Sequence, residues 1–112
     1  MTSFHRFKGS SGTWYQFAMA SIGVRWASGI GVYIFARIKP DGNYDILYVG
    51  RSSDLANRPS PSHEKFEAAK RLGMTHVGAA ICATERLSDA AERDLIAKFS
   101  PPLNQQLVSP IR

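Results

Sequence analysis

The sequence predicts one small α/β domain, and three observations carry that reading. Val32, Ile34, Ala36 and Ile38 alternate with Tyr33, Phe35 and Arg37, the period of two that marks a β-strand. The strong turn Pro40-Asp41-Gly42-Asn43 separates this segment from a second strand over residues 45–50, so the two form a hairpin. Near the C-terminal end Glu92, Leu95, Ile96 and Phe99 fall at the i, i+3, i+4 and i+7 positions of a helix. With 112 residues, 44% apolar and 21% charged, the chain can bury one core and has no room for a second.

Taken in order, Ser10-Ser11-Gly12 reads as a flexible join behind an N-terminal dozen that is expected to be partly disordered. In the first strand of the hairpin Tyr33 points away from the Val/Ile face. In the second, Ile46 and Tyr48 lie opposite Leu47 and Val49. Pairing can bring Tyr33 and Tyr48 together, although the loop does not fix the register. Gly50 ends this strand, and Ser52 or Ser53 with Asp54 caps a short helix from Leu55 to Arg58 that Pro59 and Pro61 stop. A second helix over residues 62–72 closes at Gly73, and residues 75–84 form a third strand with Val77, Ala79 and Ile81 on one face. The last helix starts at Ser88 as N-cap, with Asp89 in its first turn, and ends at Pro101-Pro102.

Charge is unevenly spread. The net charge is +5, and no acidic residue precedes Asp41, whereas Arg6, Lys8, Arg25, Arg37 and Lys39 all do. The basic first part is interleaved with Phe4, Phe7, Trp14, Tyr15, Phe17 and Trp26, as a surface tracking a polyanion would be; a solvated basic face around an aromatic arm packed on the core reads equally well. Residues 17–35 are the only candidate membrane or signal segment. Arg25 and several glycines and serines interrupt it short of the ~20 apolar residues a span needs, so no membrane partner is expected. Cys82, the single cysteine, favours a reducing compartment, and a cytoplasmic protein is expected. His5 and His76 lack zinc-ligand spacing.

Glu92 places a carboxylate at the edge of an apolar stripe, where it needs a partner: water, Arg86, Arg93 or Lys98, or a bound cation. Two tyrosines, an arginine and a carboxylate offer a base, a charge clamp and a metal ligand, a minimal set for cutting a phosphodiester with one divalent metal. Singly, each has a plain structural reading: tyrosines suit strands, Arg58 suits a surface, and Gly31 and Gly50 suit strand ends.

The ordered set Gly31-Val32-Tyr33-Ile34, Leu47-Tyr48-Val49-Gly50-Arg51-Ser52, Asp54-Leu55 through Arg58, and Glu92 through Asn104 resembles the GIY-YIG nucleases. The resemblance covers residues 31–104 and implies a sandwich with a central three-stranded antiparallel sheet flanked by helices. It divides the chain into a basic aromatic extension at residues 1–28, a nuclease-like domain at 29–106 and a tail at 107–112. It makes Tyr33 the general base, Tyr48 its hydrogen-bonding neighbour, Arg58 the clamp on the scissile phosphate and Glu92 the one protein ligand of a Mg²⁺ or Mn²⁺ ion. Gly50, Arg51, His63 and Asn104 are the accompanying substrate-side residues. Asn104 either holds local structure or touches substrate, and His63 either shuttles protons or contacts substrate, or has a surface or capping role.

The implied function is a metal-dependent endonuclease acting on DNA. The alternative is a non-catalytic nucleic-acid-binding module that works with a partner, and a third reading docks the basic arm on an acidic protein. Cutting both strands of a duplex from one site needs a homodimer or sequential nicks. The chemistry is coherent in itself. A tyrosine with a pKa of about 10 is phenolate roughly one part in a thousand at neutral pH, so a cation such as Arg51 or Arg58 must favour the charged form. A single carboxylate ligand suits Mg²⁺, which retains most of its water.

Overall fold

The computed structural model describes residues 2–105; the expected tail at 107–112 and the end of the nuclease-like segment at 106 lie outside them. Five strands are present: β1 (Ser3–Lys8), β2 (Trp14–Ser21), β3 (Gly31–Ile38), β4 (Tyr44–Ser52) and β5 (His76–Ile81). Helix α1 spans Phe66–Arg71, helix α2 spans Glu85–Phe99, and a 3-10 turn covers Pro102–Asn104. The strands form one antiparallel sheet in the order β1-β2-β5-β3-β4.

The expected three-stranded sheet is therefore corrected to five. Its three strands lie side by side as β5-β3-β4, and a hairpin of residues 3–21 covers the edge of β5 that would otherwise be open. Residues 3–8, expected to be partly disordered, are a strand paired along its length with β2, from Ser3 opposite Met19 to Lys8 opposite Trp14. Ser10-Ser11-Gly12 is no flexible join but the hairpin's turn, closed by Gly9 N–H to the Thr13 carbonyl at 2.8 Å and requiring φ +91° at Gly12.

The strand β3 is buried on both faces from Gly31 to Ala36, not on one as its alternation predicts. Val32, Ile34 and Ala36 join Phe7, Phe17, Met19, Ala91 and Leu95 beneath α2, while Tyr33 and Phe35 join Leu55, Phe66, Ala69 and Val77 on the side of α1. The phase of β4 also differs. A bulge between Phe35 and Ala36 of the partner strand leaves Leu47 unpaired, so Ile46 and Val49 share the α2 side while Leu47 and Tyr48 both face α1.

Helix boundaries shift for identifiable reasons. Helix α2 starts at Glu85 because Thr84 caps it, its Oγ1 accepting the Leu87 N–H at 3.1 Å. Ser88, the expected cap, is buried inside the helix with its hydroxyl donating to the Glu85 carbonyl at 2.9 Å. The expected short helix at residues 55–58 is only a turn, with Asn57 and Arg58 N–H on the Asp54 carbonyl, and the prolines at 59 and 61 leave it no room to grow into a helix. The expected helix at 62–72 is reduced to α1, and the expected strand at 75–84 to β5.

Candidate functional site

Tyr33 stands in the middle of the α1-side face of β3, opposite Gly50 of β4. Its ring lies against Gly50 so closely that a Cβ there would overlap the ring and the hydroxyl, which accounts for the glycine. Tyr48 pairs with Phe35, one step along the strands, and its ring centroid is 6.2 Å from that of Tyr33. The two tyrosines are thus diagonal neighbours, as the hairpin requires.

The loop between β4 and α1 brings His63 over this pair. His63 is buried among Tyr33, Phe35 and Tyr48, with ring centroids 5.1 to 5.6 Å away. Its Nε2 lies 2.7 Å from the Tyr33 hydroxyl, and its Nδ1 accepts the Lys65 backbone N–H at 2.9 Å. That second bond assigns the tautomer: Nδ1 carries the lone pair, so Nε2–H donates into the phenolic oxygen. Burial, reinforced by the nearby Arg58 charge, holds the His63 pKa below its usual value and keeps the ring neutral. Glu64 lies 3.8 Å from Nδ1, but with no proton there the contact is not an ion pair.

Arg58 lies beside the tyrosines, and its charge lowers the pKa of both against the larger effect of burial, which raises them. Its guanidinium Nη2 donates to both carboxylate oxygens of Glu64 at 3.0 Å. Glu64 in turn raises the pKa of both phenols. The balance leaves Tyr33 firmly protonated, and the residue is 1% exposed.

A second group lies along β4 and α2. Arg51 Nε is 3.4 Å from a Glu92 oxygen and 3.3 Å from an Asp89 oxygen, and Arg93 holds the other side of Asp89 at 3.1 Å. Glu92 therefore finds a partner across the sheet edge in Arg51, rather than Arg86, Arg93 or Lys98. Burial, the largest influence, raises its pKa, and Asp89 adds to this while Arg51 opposes it. The Glu92 charge also raises the pKa of Tyr48, which links the two groups electrostatically. Glu92 and Asp89 offer hard oxygen donors beside a half-buried rim, a set that fits a largely hydrated Mg²⁺ or Mn²⁺. Among the described residues no group of three or more His, Cys, Asp or Glu side chains is placed to hold a metal ion.

Asn104 is fully engaged in structure. Its Oδ1 accepts the Val49 N–H at 2.7 Å and its Nδ2 donates to the Val49 carbonyl at 2.8 Å, so one side chain pairs with the β4 edge as a strand would. The structure thus gathers Tyr33, Tyr48, Arg58 and His63 at one point, places Arg51 and Glu92 at a second, and gives Gly50 and Asn104 packing and pairing roles. Sequence reasoning missed Glu64 and Asp89. Neither lies on a periodic stripe with its partner, and only the fold brings them to Arg58 and Arg51.

Comparison with known protein families, curated proteins and solved structures finds no match to this chain. The class the fold defines is a small α/β domain built on a five-stranded antiparallel sheet with two helices.

Proposed function

We propose that the chain is a small metal-dependent endonuclease of the GIY-YIG kind, hydrolysing DNA phosphodiester bonds. The observation that supports this most is the buried bond from neutral His63 to the Tyr33 hydroxyl beside Arg58. A tyrosine that receives a hydrogen bond from an imidazole keeps its own proton free to move and has a donor ready for the phenolate. Arg58 would bind the scissile phosphate through two oxygens, as it now binds Glu64, so an incoming phosphate takes that carboxylate's place. With its own proton given up to solvent, Tyr33 would act as the phenolate, held by the His63 Nε2–H and favoured by the Arg58 charge, and take the proton of the attacking water. Glu92 with Asp89 would hold a Mg²⁺ or Mn²⁺ ion, which when bound stabilises charge on the leaving oxygen. Arg51, released from the two carboxylates, would then contact phosphate.

The second reading, a nucleic-acid-binding module that cuts nothing alone, is favoured by one observation: Tyr33 is covered and strongly protonated in this conformation. One experiment separates the two. Supercoiled plasmid and single-stranded DNA are incubated with the protein in Mg²⁺, in Mn²⁺ and in EDTA, alongside Tyr33→Phe and Glu92→Ala. A nuclease gives metal-dependent cutting that falls by about 100-fold or more in both variants, the usual scale for losing a general base, while DNA affinity persists. Full activity in Glu92→Ala would overturn the assignment, and binding without cutting under all conditions would favour the module.

A further inference from the structure

The sheet face that carries Tyr33 is covered by α1 and its loops over β3, but bare over the β1–β2 hairpin. Phe4, Arg6 and Lys8 alternate onto that bare face, opposite Ala18, Gln16 and Trp14. Their neighbours in sequence, Phe7 and Phe17, face the α2 core instead. Phe4 is 68% exposed, Trp14 57% and Ile81, on the same side at the end of β5, 66%. Single exposed apolar side chains are ordinary, but a group on one sheet face flanked by cations marks an interaction surface. Arg6 and Lys8 make no ion pair among the described residues; each instead lies 5.6 Å from the Trp14 ring centre.

We propose that this hairpin face is a platform for single-stranded nucleic acid, with bases stacked on Trp14 and Phe4 and phosphates on Arg6 and Lys8. Charge selects a polyanion, since no acidic residue precedes Asp41. The exposed rings select one whose bases are free, because a duplex buries the base faces that stacking needs. The register then gives the platform a direction. Phe4 lies opposite Ala18, Ala18 opposite Ala79, and Ala79 opposite Tyr33, so one row of side chains crosses from the platform to the tyrosine. Three strand spacings make that path about 14 Å long. As a substrate choice this rests on the nuclease reading above; as a binding site it stands apart from it.

The test measures binding of the full chain in EDTA, by fluorescence anisotropy, to a short oligothymidylate, to an abasic phosphodiester of equal length and to the corresponding duplex. Oligothymidylate should bind at least about 10-fold tighter than either control. Trp14→Ala and Phe4→Ala should each weaken it about 5- to 150-fold, the range found for one stacked base. Neutralising Arg6 and Lys8 together should reduce the salt slope by about 1.4, for two phosphates on a single strand. All four side chains are exposed, and circular dichroism checks that the variants fold. Equal affinity for the abasic strand, tighter binding of the duplex, or indifference to Trp14→Ala and Phe4→Ala would overturn the platform. Cutting of DNA in Mg²⁺ is scored separately: cutting without oligothymidylate preference removes the platform alone, and preference without cutting removes the nuclease reading alone.

Discussion

At the scale of single residues, the pair that decides how this site rests is Arg58 with Glu64. The carboxylate is mostly exposed, and an exposed ion pair of this sort is worth only about 0.2–1 kcal/mol, so a phosphate can displace it easily. Glu64→Gln should then raise kcat/KM on DNA by about 1.5- to 5-fold. The pH profile moves in a definite direction. The Glu64 charge raises the pKa of Tyr33 and Tyr48, so its removal lowers both, and the alkaline rise in rate should begin at lower pH. A pH–rate series on the two proteins checks this; a tenfold loss of rate with an unmoved profile would show that Glu64 instead holds the loop in place. His63 illustrates how a role emerges only from packing, since sequence leaves it as a shuttle, a contact or a cap, and the Lys65 N–H settles which nitrogen holds the proton.

At the scale of the elements, the glycines of the two tyrosine-bearing strands are explained by close approach rather than by strand termination. A Cβ on Gly31 would run into the Ala80 carbonyl of β5 and the Leu55 side chain, and the backbone oxygen cannot swing aside. Gly31→Ala should therefore cost about 1–3 kcal/mol, the usual scale of overpacking, and urea unfolding measures it. An unchanged midpoint would show that β3 and β5 can separate without loss. Much of this was legible beforehand. The alternation of Val32 to Ile38 and the Pro40–Asn43 turn specify the hairpin, and both period and turn are local. What escaped depends on distant partners: the β4 bulge at Leu47, the burial of β3 on both faces, and the hairpin at the N-terminal end. Residues 3–8 carry an alternation of their own, but their strand needs β2, and β2 needs β5, for pairing. The tyrosines, Arg58 and Glu92 were singled out from the sequence, whereas Glu64 and Asp89 became visible only through folding.

At the scale of the whole molecule, the N-terminal hairpin and the last helix are fastened to each other. Asp94 of α2 accepts bonds from the Ser11 N–H at 2.7 Å, the Ser11 hydroxyl at 2.7 Å and the Tyr15 hydroxyl at 2.8 Å, and its own carbonyl receives the Ser10 N–H. The basic strand is thus part of the body. Amide hydrogen exchange should accordingly find β3 and β5, paired on both sides, the slowest to open, and β1 and β4 faster at the edges. A β2 that exchanges as freely as an edge would show that the hairpin docks only loosely. The order β1-β2-β5-β3-β4 carries one more consequence, for how the chain comes to exist. Both inner neighbours of β5 precede it in sequence, so a growing chain holds two finished hairpins with no seam between them until His76–Ile81 emerges. Until then each hairpin offers a naked edge to any other strand nearby, and the last-made strand is the one that closes both.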